Sequence, residues 1–563
     1  MALDMPDRPE PQAVQKSFAA NPLVAIYLIA SLVMLPALLL GAMANGTDSI
    51  FHARWLHYFS EQFWSGDLYP RWLMGMNDGF GSPALFIYPP FSQFVTALLH
   101  PLFPSPQLAA VLLGVSVWLA MTASGIACFY WLRQALPGHQ LAALAGAAAY
   151  MLAPYHLYID VYQRGAVAEV WAFVWPPLSL LLVHRLDHVS PARLACLALS
   201  VAGLLITHAP SSLILIPGYF LYALLLDWQD RRLARCLWLM AGCALACMLA
   251  GWYLGTALTH TRYINTSALF GGRNISTNWL IGGGPWPDPA IQRDIYVAVG
   301  LQGGISLIAA AIALLKSGRG ERNIAVAALL LAIIPLLMMS VFSKPIWELG
   351  LPLNQVQFPW RFTVLLSLAG ALATGAFCAK IQVSRLKAAV IPAAFLVGNL
   401  CLYYFPAPPP IPLSAMPATV SVEDSSWDAP EYQLAPKTAV AGIFGIENAR
   451  LLSGDGHLQV SGWRPRSLAI DVDIKEASTI AVRQFNYPGW AISSTSEDAN
   501  PPEFIKGKPF LQVQAPAGRY RIHLTLAETL PEWAGRLASA IAAILVIGLF
   551  GLGWFGSRRK LPA

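Results

Sequence analysis

The chain has 563 residues, 56% of them hydrophobic and only 12% charged, with a formal net charge of +6. Soluble domains carry about 25% charged residues, so most of this chain does not face water. Its positive residues sit in short loops rather than in one patch, which excludes a nucleic-acid-binding surface.

Residues 1–21 are polar and include Arg8 and Lys16. Asn21-Pro22 leads into the apolar run Leu23–Met43, long enough to span a bilayer. Ala42-Met43-Ala44 has the small residues of a signal-peptidase site. The run is longer than a signal h-region and its flank is weakly basic, so it reads as an uncleaved anchor.

The most polar and most patterned stretch of the N-terminal half follows, Gly46 to Pro90. It sets Asp48 and His52 one helical turn apart. It then carries Ser65-Gly66-Asp67, Pro70-Arg71-Trp72, the bend Asp78-Gly79-Phe80-Gly81, and Tyr88-Pro89-Pro90. Residues 86–103 are apolar but hold Pro89, Pro90, Gln93, His100 and Pro101. They read as a helix at the membrane surface, opened by the two prolines.

Further apolar runs lie near 107–132, 140–154, 167–183, 194–208, 211–226, 236–258, 296–315, 324–342, 362–379, 388–405 and 534–555. With the first run they make about twelve transmembrane helices. If the N-terminus is cytoplasmic, the cytoplasmic loops collect Arg133, the pair Arg185 and Arg193, Arg231-Arg232 with Arg235, Lys316 to Arg322, Lys380 to Lys387, and Arg558-Arg559-Lys560. Both termini are then cytoplasmic, and 45–106, 155–166, 259–295, 343–361 and 406–533 face outward. The cytoplasmic loops are short and have no Gly-rich phosphate cradle, so chemistry belongs on the outer face. The seven cysteines all lie in apolar runs. Cys236, Cys243 and Cys247 share a helical face but read as small buried hydrophobes rather than a metal site.

The last outer segment opens with a stiff proline tract, Pro406 to Pro412. Period-two alternation follows at Ser467–Ile474, Thr479–Val482, Phe510–Val513 and Arg519–Leu524, with turns at Pro488-Gly489 and Pro516-Ala517-Gly518. This predicts a small extracytoplasmic β-sandwich. Trp463, Tyr487 and Trp490 read as its core rather than as sugar-stacking rings. The chain therefore divides into a transmembrane domain with outer loops (1–405), a β-rich domain (406–533), and a last transmembrane helix with a basic tail (534–563).

An acid just after the first span (Asp48), an aromatic-rich helix, Ser65-Gly66-Asp67, Pro70 and Pro89-Pro90 resemble in order the glycosyltransferases of the GT-C superfold. The lipid A aminoarabinose transferase and the protein mannosyltransferases show that order. The aminoarabinose transferases have Lys before the two prolines, where this chain has Tyr88. Three stretches look like the bacterial membrane family labelled "6-pyruvoyl-tetrahydropterin synthase-related". They run from Tyr69-Pro70-Arg71-Trp72 to Tyr88-Pro89-Pro90, from Tyr162-Gln163-Arg164-Gly165 to Glu169, and across Gln357-Phe358-Pro359-Trp360-Arg361-Phe362. Tyr487-Pro488-Gly489-Trp490 and Ala515-Pro516-Ala517-Gly518 look like the outer domain of YfhO-type proteins. The pterin label is no guide to function, because the three-His zinc spacing of that soluble enzyme is absent.

The resemblance implies a polytopic α-helical GT-C-like protein of a bacterial inner membrane, with 406–533 periplasmic. It implies transfer of a sugar from a polyprenyl-phosphate or diphosphate donor to an envelope glycan, lipid or protein acceptor. A carboxylate must orient or deprotonate the acceptor hydroxyl, and the leaving phosphate needs cationic stabilisation. Asp48 is the first candidate carboxylate and Glu169 the second, and the two are candidates to share Mg or Mn. Arg164 and Arg361 are candidates for the phosphate, and His52 and Tyr88 for the acceptor. Arg71 and Gln357, carried by the same motifs, join the substrate-binding set. His208 is a further candidate.

Each candidate has a plainer role. Asp48 is a good helix N-cap, Glu169 a natural partner for Arg164, and Arg361 an interfacial anchor. Asp67 and Asp78 suit turns. The loop 259–295, with Arg262, Arg273 and Arg293, is either a donor cover or a packed lid. A transporter would place charge inside its spans, and these are almost free of it. A non-catalytic scaffold in envelope polysaccharide assembly stands as the alternative.

Overall fold

The computed structural model describes residues 21–558 except 106–107, 188, 229–231, 267, 269–277, 284–288, 319, 351, 382–383, 405–427, 437–439, 441 and 496–500. The tract Pro406–Pro412, Arg273 and the tail from Arg559 lie outside the described residues.

The molecule is mostly helical, with a C-terminal β-sheet domain. Every run expected to span is helical, although 167–183 and 236–258 each fall on two helices. Seven of the described helices are long and apolar enough to cross a membrane, or eight if one bent pair counts as a single span. Pro191–Leu205 and Arg322–Met338 are shorter apolar helices. Gln140–Met151 has 12 residues, about 18 Å, against a hydrocarbon core of about 30 Å. After Pro154 its chain continues as a π-helical segment, Tyr155–Arg164.

The helix Thr363–Lys380 is the buried centre, with 94% of its apolar window covered. Small residues let neighbours approach it. A Cβ on Gly146 would lie 2.6 Å from the Ala371 carbonyl oxygen. Lipid gives helices no hydrophobic reason to associate, so such close backbone contact supplies the packing.

The run 236–258, expected as one span, is broken. Ala234–Leu249 and the segment from Gly251 meet at 75°. The cause lies in the C-terminal helix, Leu530–Arg558. Its Gly535 packs so closely on Gly251 that a Cβ there would be 2.2 Å from the Gly251 oxygen. The Ser539 hydroxyl accepts from the Trp252 N–H at 2.9 Å and lies 3.0 and 2.9 Å from the Met248 and Leu249 carbonyls. The break thus keeps its polar backbone groups bonded, as a broken helix in lipid must.

After Tyr88-Pro89-Pro90 comes the helix Phe91–Leu99, of 9 residues. At about 1.5 Å per residue it is too short to span.

The β domain holds β1 (Ala449–Ser453), β2 (Gly456–Arg464), β3 (Ser467–Ile474), β4 (Ser478–Phe485), β5 (Trp490–Ser494), β6 (Glu503–Phe504), β7 (Phe510–Ala515) and β8 (Gly518–Leu526). Two four-stranded sheets form, ordered β1-β4-β7-β6 and β2-β3-β8-β5. Ile470, Val472, Ile522 and Leu524 of one sheet share a core with Ile480, Val482 and Val513 of the other. This is the expected sandwich.

The sandwich grips the polar stretch between Gly46 and Pro90. Trp72 Nε1 donates to Gln484 Oε1 at 2.6 Å, Gln484 Nε2 to the Gly79 carbonyl at 2.6 Å, and the Phe485 N–H to the Phe80 carbonyl at 2.7 Å. Tyr487 is 1% exposed. It packs on Trp72 and Phe86 and shares a 2.6 Å hydrogen bond with His260 Nδ1. Its role is packing rather than sugar stacking.

Asp428 is buried under the same loop. It accepts from Trp55 Nε1 at 2.8 Å and from the Ser82 hydroxyl, and its N–H donates to Asn77 Oδ1 at 2.8 Å. Trp72, Gly79 and Phe80 of this loop are therefore tied to the β domain, and Trp55, Asn77 and Ser82 to Asp428.

Candidate active site

The site begins where two turns interlock. Gly46 leads into the helix Ser49–Trp64, and Gly165 ends the π-helical segment with φ +67°. A Cβ on Gly46 would lie 2.6 Å from the Arg164 carbonyl, and one on Gly165 would lie 1.8 Å from Ser49 Oγ. Only glycine fits at either position. The Thr47 N–H donates to the Gln163 carbonyl at 3.2 Å and the Asp48 N–H to the Arg164 carbonyl at 2.7 Å. The clasp carries Asp48 to Arg164.

Asp48 occupies the N-cap position, but its carboxylate caps nothing. Oδ2 accepts from Arg164 Nη2 at 3.0 Å, and Oδ1 accepts from the Thr47 hydroxyl at 3.1 Å. Arg164 Nη1 donates to Asp160 Oδ1 at 2.8 Å and to Glu169 Oε2 at 2.7 Å. One guanidinium therefore holds three carboxylates. Its Cζ also lies 5.2 Å from the Trp360 ring centre, a favourable site for a cation.

The Tyr155 hydroxyl donates to Glu169 Oε1 at 2.8 Å. His208 Nε2 and Arg361 Nε stand 3.9 and 3.8 Å from Glu169 Oε2. Arg361 Nη1 donates to the Val356 carbonyl at 2.9 Å and to Gln357 Oε1 at 2.5 Å. Its Nε is buried without a hydrogen-bond partner among the described residues. Gln357 has φ +68°, an uncommon conformation for a residue with a side chain. Its place in the site thus rests on local backbone strain.

Exposure separates the three acids. The Asp48 side chain is 37% exposed, that of Asp160 0% and that of Glu169 1%. Burial, then the nearby Glu169 carboxylate, raises Asp160 well above the ordinary carboxylate range. Its Oδ2 has no hydrogen-bond partner among the described residues.

His52 and Tyr88 border the open side. Their rings are 6.1 Å apart, and Trp55 lies 4.6 Å from Tyr88. Burial lowers His52 to about 4, against a partial rise from Asp48, and its Nδ1 is buried with no hydrogen-bond partner among the described residues. The His52 imidazole is therefore neutral at physiological pH. Tyr88 feels the charges of Asp48, Arg361, Arg164 and Glu169, and burial raises its hydroxyl.

The structure thus brings together Asp48, Glu169, Arg164, Arg361 and Gln357, with His52, Tyr88 and His208 around them. It does not bring Arg71. That side chain pairs with Glu532 at 2.5 Å, donates to the Trp252 carbonyl at 2.7 Å and covers the Tyr69 ring. Glu532 also holds Arg466 at 3.0 Å. Arg71 ties the first loop to the C-terminal helix and the β domain. Asp67 follows the turn at Ser65-Gly66, and Asp78 lies in a turn with φ +56°. Arg293 pairs with Asp294 at 3.2 Å and Arg262 donates to the Tyr263 hydroxyl at 2.6 Å.

Asp160, Tyr155 and Trp360 were not anticipated. Asp160 carried a usable signal, because an acid and an arginine four residues apart face each other on a helix.

A cavity of about 200 Å³ lies along the same helix, lined by Leu56, His57, Glu61, His100, Phe103 and Leu112 among others. It shares no lining residue with the cluster. Among the described residues no group of three or more His, Cys, Asp or Glu is arranged to hold a metal ion. The cation expected between Asp48 and Glu169 does not fit, because the Arg164 guanidinium stands between them. The cysteines are free and form no such group.

No family model and no curated protein matches the chain. The resemblance to the pterin-synthase-related family therefore rests on motifs alone. Solved structures give partial likenesses. The apo oligosaccharyltransferase of Archaeoglobus fulgidus is 12% identical, with a TM-score of 0.43 over 73% of this chain and 57% of its own. The same enzyme, AglB, with an inhibitory peptide and a dolichol-phosphate gives 12% and 0.42. The arabinofuranosyltransferase AftD from Mycobacteria is 16% identical, with a TM-score of 0.42 over 68% of this chain and 26% of its own. The chain spans little more than half the length of the archaeal enzyme.

Proposed function

We propose that this chain is a membrane glycosyltransferase that moves a sugar from a polyprenyl-phosphate or diphosphate donor to an envelope acceptor on the outer face of a bacterial inner membrane. The supporting topology has about twelve spans, both termini cytoplasmic and the β domain periplasmic. One observation carries the reading. Of the three carboxylates gathered on Arg164, Asp48 alone is open to a substrate.

In this reading Asp48 accepts the acceptor hydroxyl's proton as the oxygen attacks the anomeric carbon. The bond from that carbon to the phosphate oxygen breaks, and the lipid phosphate leaves with the electron pair. Arg361 faces the developing charge, with a buried Nε free to donate. Glu169 and Gln357 hold the two guanidinium groups in place. His52 and Tyr88 line the acceptor side as neutral hydrogen-bonding groups. A scaffold would use the same cluster only as a tie between outer loops.

The test is a cryo-EM structure of the purified protein with added polyprenyl phosphate. Density for the phosphate between Arg361 and Tyr88 supports the reading. Full occupancy elsewhere, or none at saturating lipid, contradicts it.

A further inference from the structure

We infer that the Arg164 guanidinium does in this site what a divalent cation would do, bridging Asp48 to Glu169 and presenting Asp48 to substrate without a metal. The inference rests on the proposed reading of Asp48 as the working carboxylate. Arg164 meets Asp48 through Nη2 and the two buried acids through Nη1. The fork geometry of a guanidinium suits this, since it is planar and permanently charged. A magnesium ion needs near-octahedral oxygens at about 2.0–2.1 Å. Here the centre of the three carboxylates is filled by carbon and nitrogen.

Charge argues the same way. Arg164 and Arg361 already stand against the three acids, which leaves at most one negative charge for a doubly charged ion. The position of Arg164 is also fixed independently of its charges. The Gly46–Gly165 clasp holds its backbone, and Trp360 covers its guanidinium. Arg164 is thus a positioning residue, set by the fold before substrate arrives.

The test is manganese binding by the full chain in detergent, read by electron paramagnetic resonance, which needs no turnover. Wild type is expected to bind no stoichiometric Mn²⁺, and to keep its melting temperature after treatment with a chelator. Arg164→Ala empties the centre of the acids and is expected to gain one Mn²⁺, lost again when Asp48→Asn is added. Arg164→Lys, which keeps a cation there, is expected to gain none. A stoichiometric Mn²⁺ in wild type that Asp48→Asn removes would overturn the inference. So would a folded Arg164→Ala that binds none, since its three acids would then not converge. If Arg164→Ala does not fold, the wild-type titration still decides. Failure of the glycosyltransferase reading would show as missing turnover with the manganese results unchanged.

Discussion

Asp48 and Arg164 are joined twice, once by the Asp48 N–H to the Arg164 carbonyl at 2.7 Å and once by Arg164 Nη2 to Asp48 Oδ2 at 3.0 Å. The backbone bond exists only because Gly46 and Gly165 let the turns interlock. Gly165→Ala puts a Cβ on a left-handed residue, costing about 1–2 kcal/mol, and drives it into Ser49 Oγ. The variant is expected to melt several degrees lower than wild type. Gly138→Ala is the control: its φ is +82° but nothing lies within 4 Å, so it carries strain alone. Equal losses in the two variants would mean the clasp contributes nothing.

Asp160 and Glu169 sit on the same nitrogen of Arg164 but should respond differently. Asp160 is raised well above its usual range, so the native state keeps a proton that the unfolded chain loses above about pH 4. Stability from this group is fully present below that pH and is lost as pH rises towards the native value. Asp160→Asn resembles the neutral acid. It is expected to melt close to wild type at neutral pH and to show a shallower fall of stability with rising pH. Glu169→Gln leaves Arg164 and Arg361 short of a buried counter-charge, at a cost of about 3–5 kcal/mol. Thermal unfolding across pH compares the two directly. Equal destabilisation would mean Asp160 is ionised.

Arg71 separates a structural role from a binding one. Its partner Glu532 is 1% exposed and also holds Arg466. Glu532→Gln strands the buried Arg71, costing about 3–5 kcal/mol, while Arg71→Met leaves Glu532 paired with Arg466 and costs less. Arg71→Met and Glu532→Gln are both expected to lower the melting temperature and to speed proteolysis between the β domain and the membrane helices. A stable Arg71→Met that only weakens substrate binding would return Arg71 to the site.

The helices were legible because apolar runs in lipid need little beyond length. What escaped came from distant partners. The bend after Leu249 has its cause in Gly535 and Ser539, 287 residues from Trp252 in the case of the serine. Asp48 looks like a cap in its own stretch, and Arg164, 116 residues away, diverts it. Arg71 sits in a convincing local motif, and Glu532, 461 residues on, assigns it elsewhere. In the sandwich, β3 and β8 alternate cleanly against the core, while β4 and β7 are buried along most of their length. The unanticipated β1, β2, β5 and β6 are the outer strands of their sheets, and β2 and β5 alternate only between half-buried and exposed positions. Gln357 and Arg361 were visible only as parts of a motif, while Trp360 beside them was passed over as one more aromatic.

The central claim is that Asp48 is the carboxylate that acts on substrate. Asp48→Asn keeps the side chain's size, an oxygen for Arg164 and nearly equal capping ability, yet removes the proton acceptor. The measurement is transfer of sugar from a polyprenyl-phosphate donor by membranes containing equal amounts of wild type or Asp48→Asn, alongside complementation of the envelope glycan lost in a deletion strain. The account predicts that Asp48→Asn inserts and melts normally while transfer falls by roughly 100-fold or more. Wild-type transfer and full complementation by Asp48→Asn would contradict it.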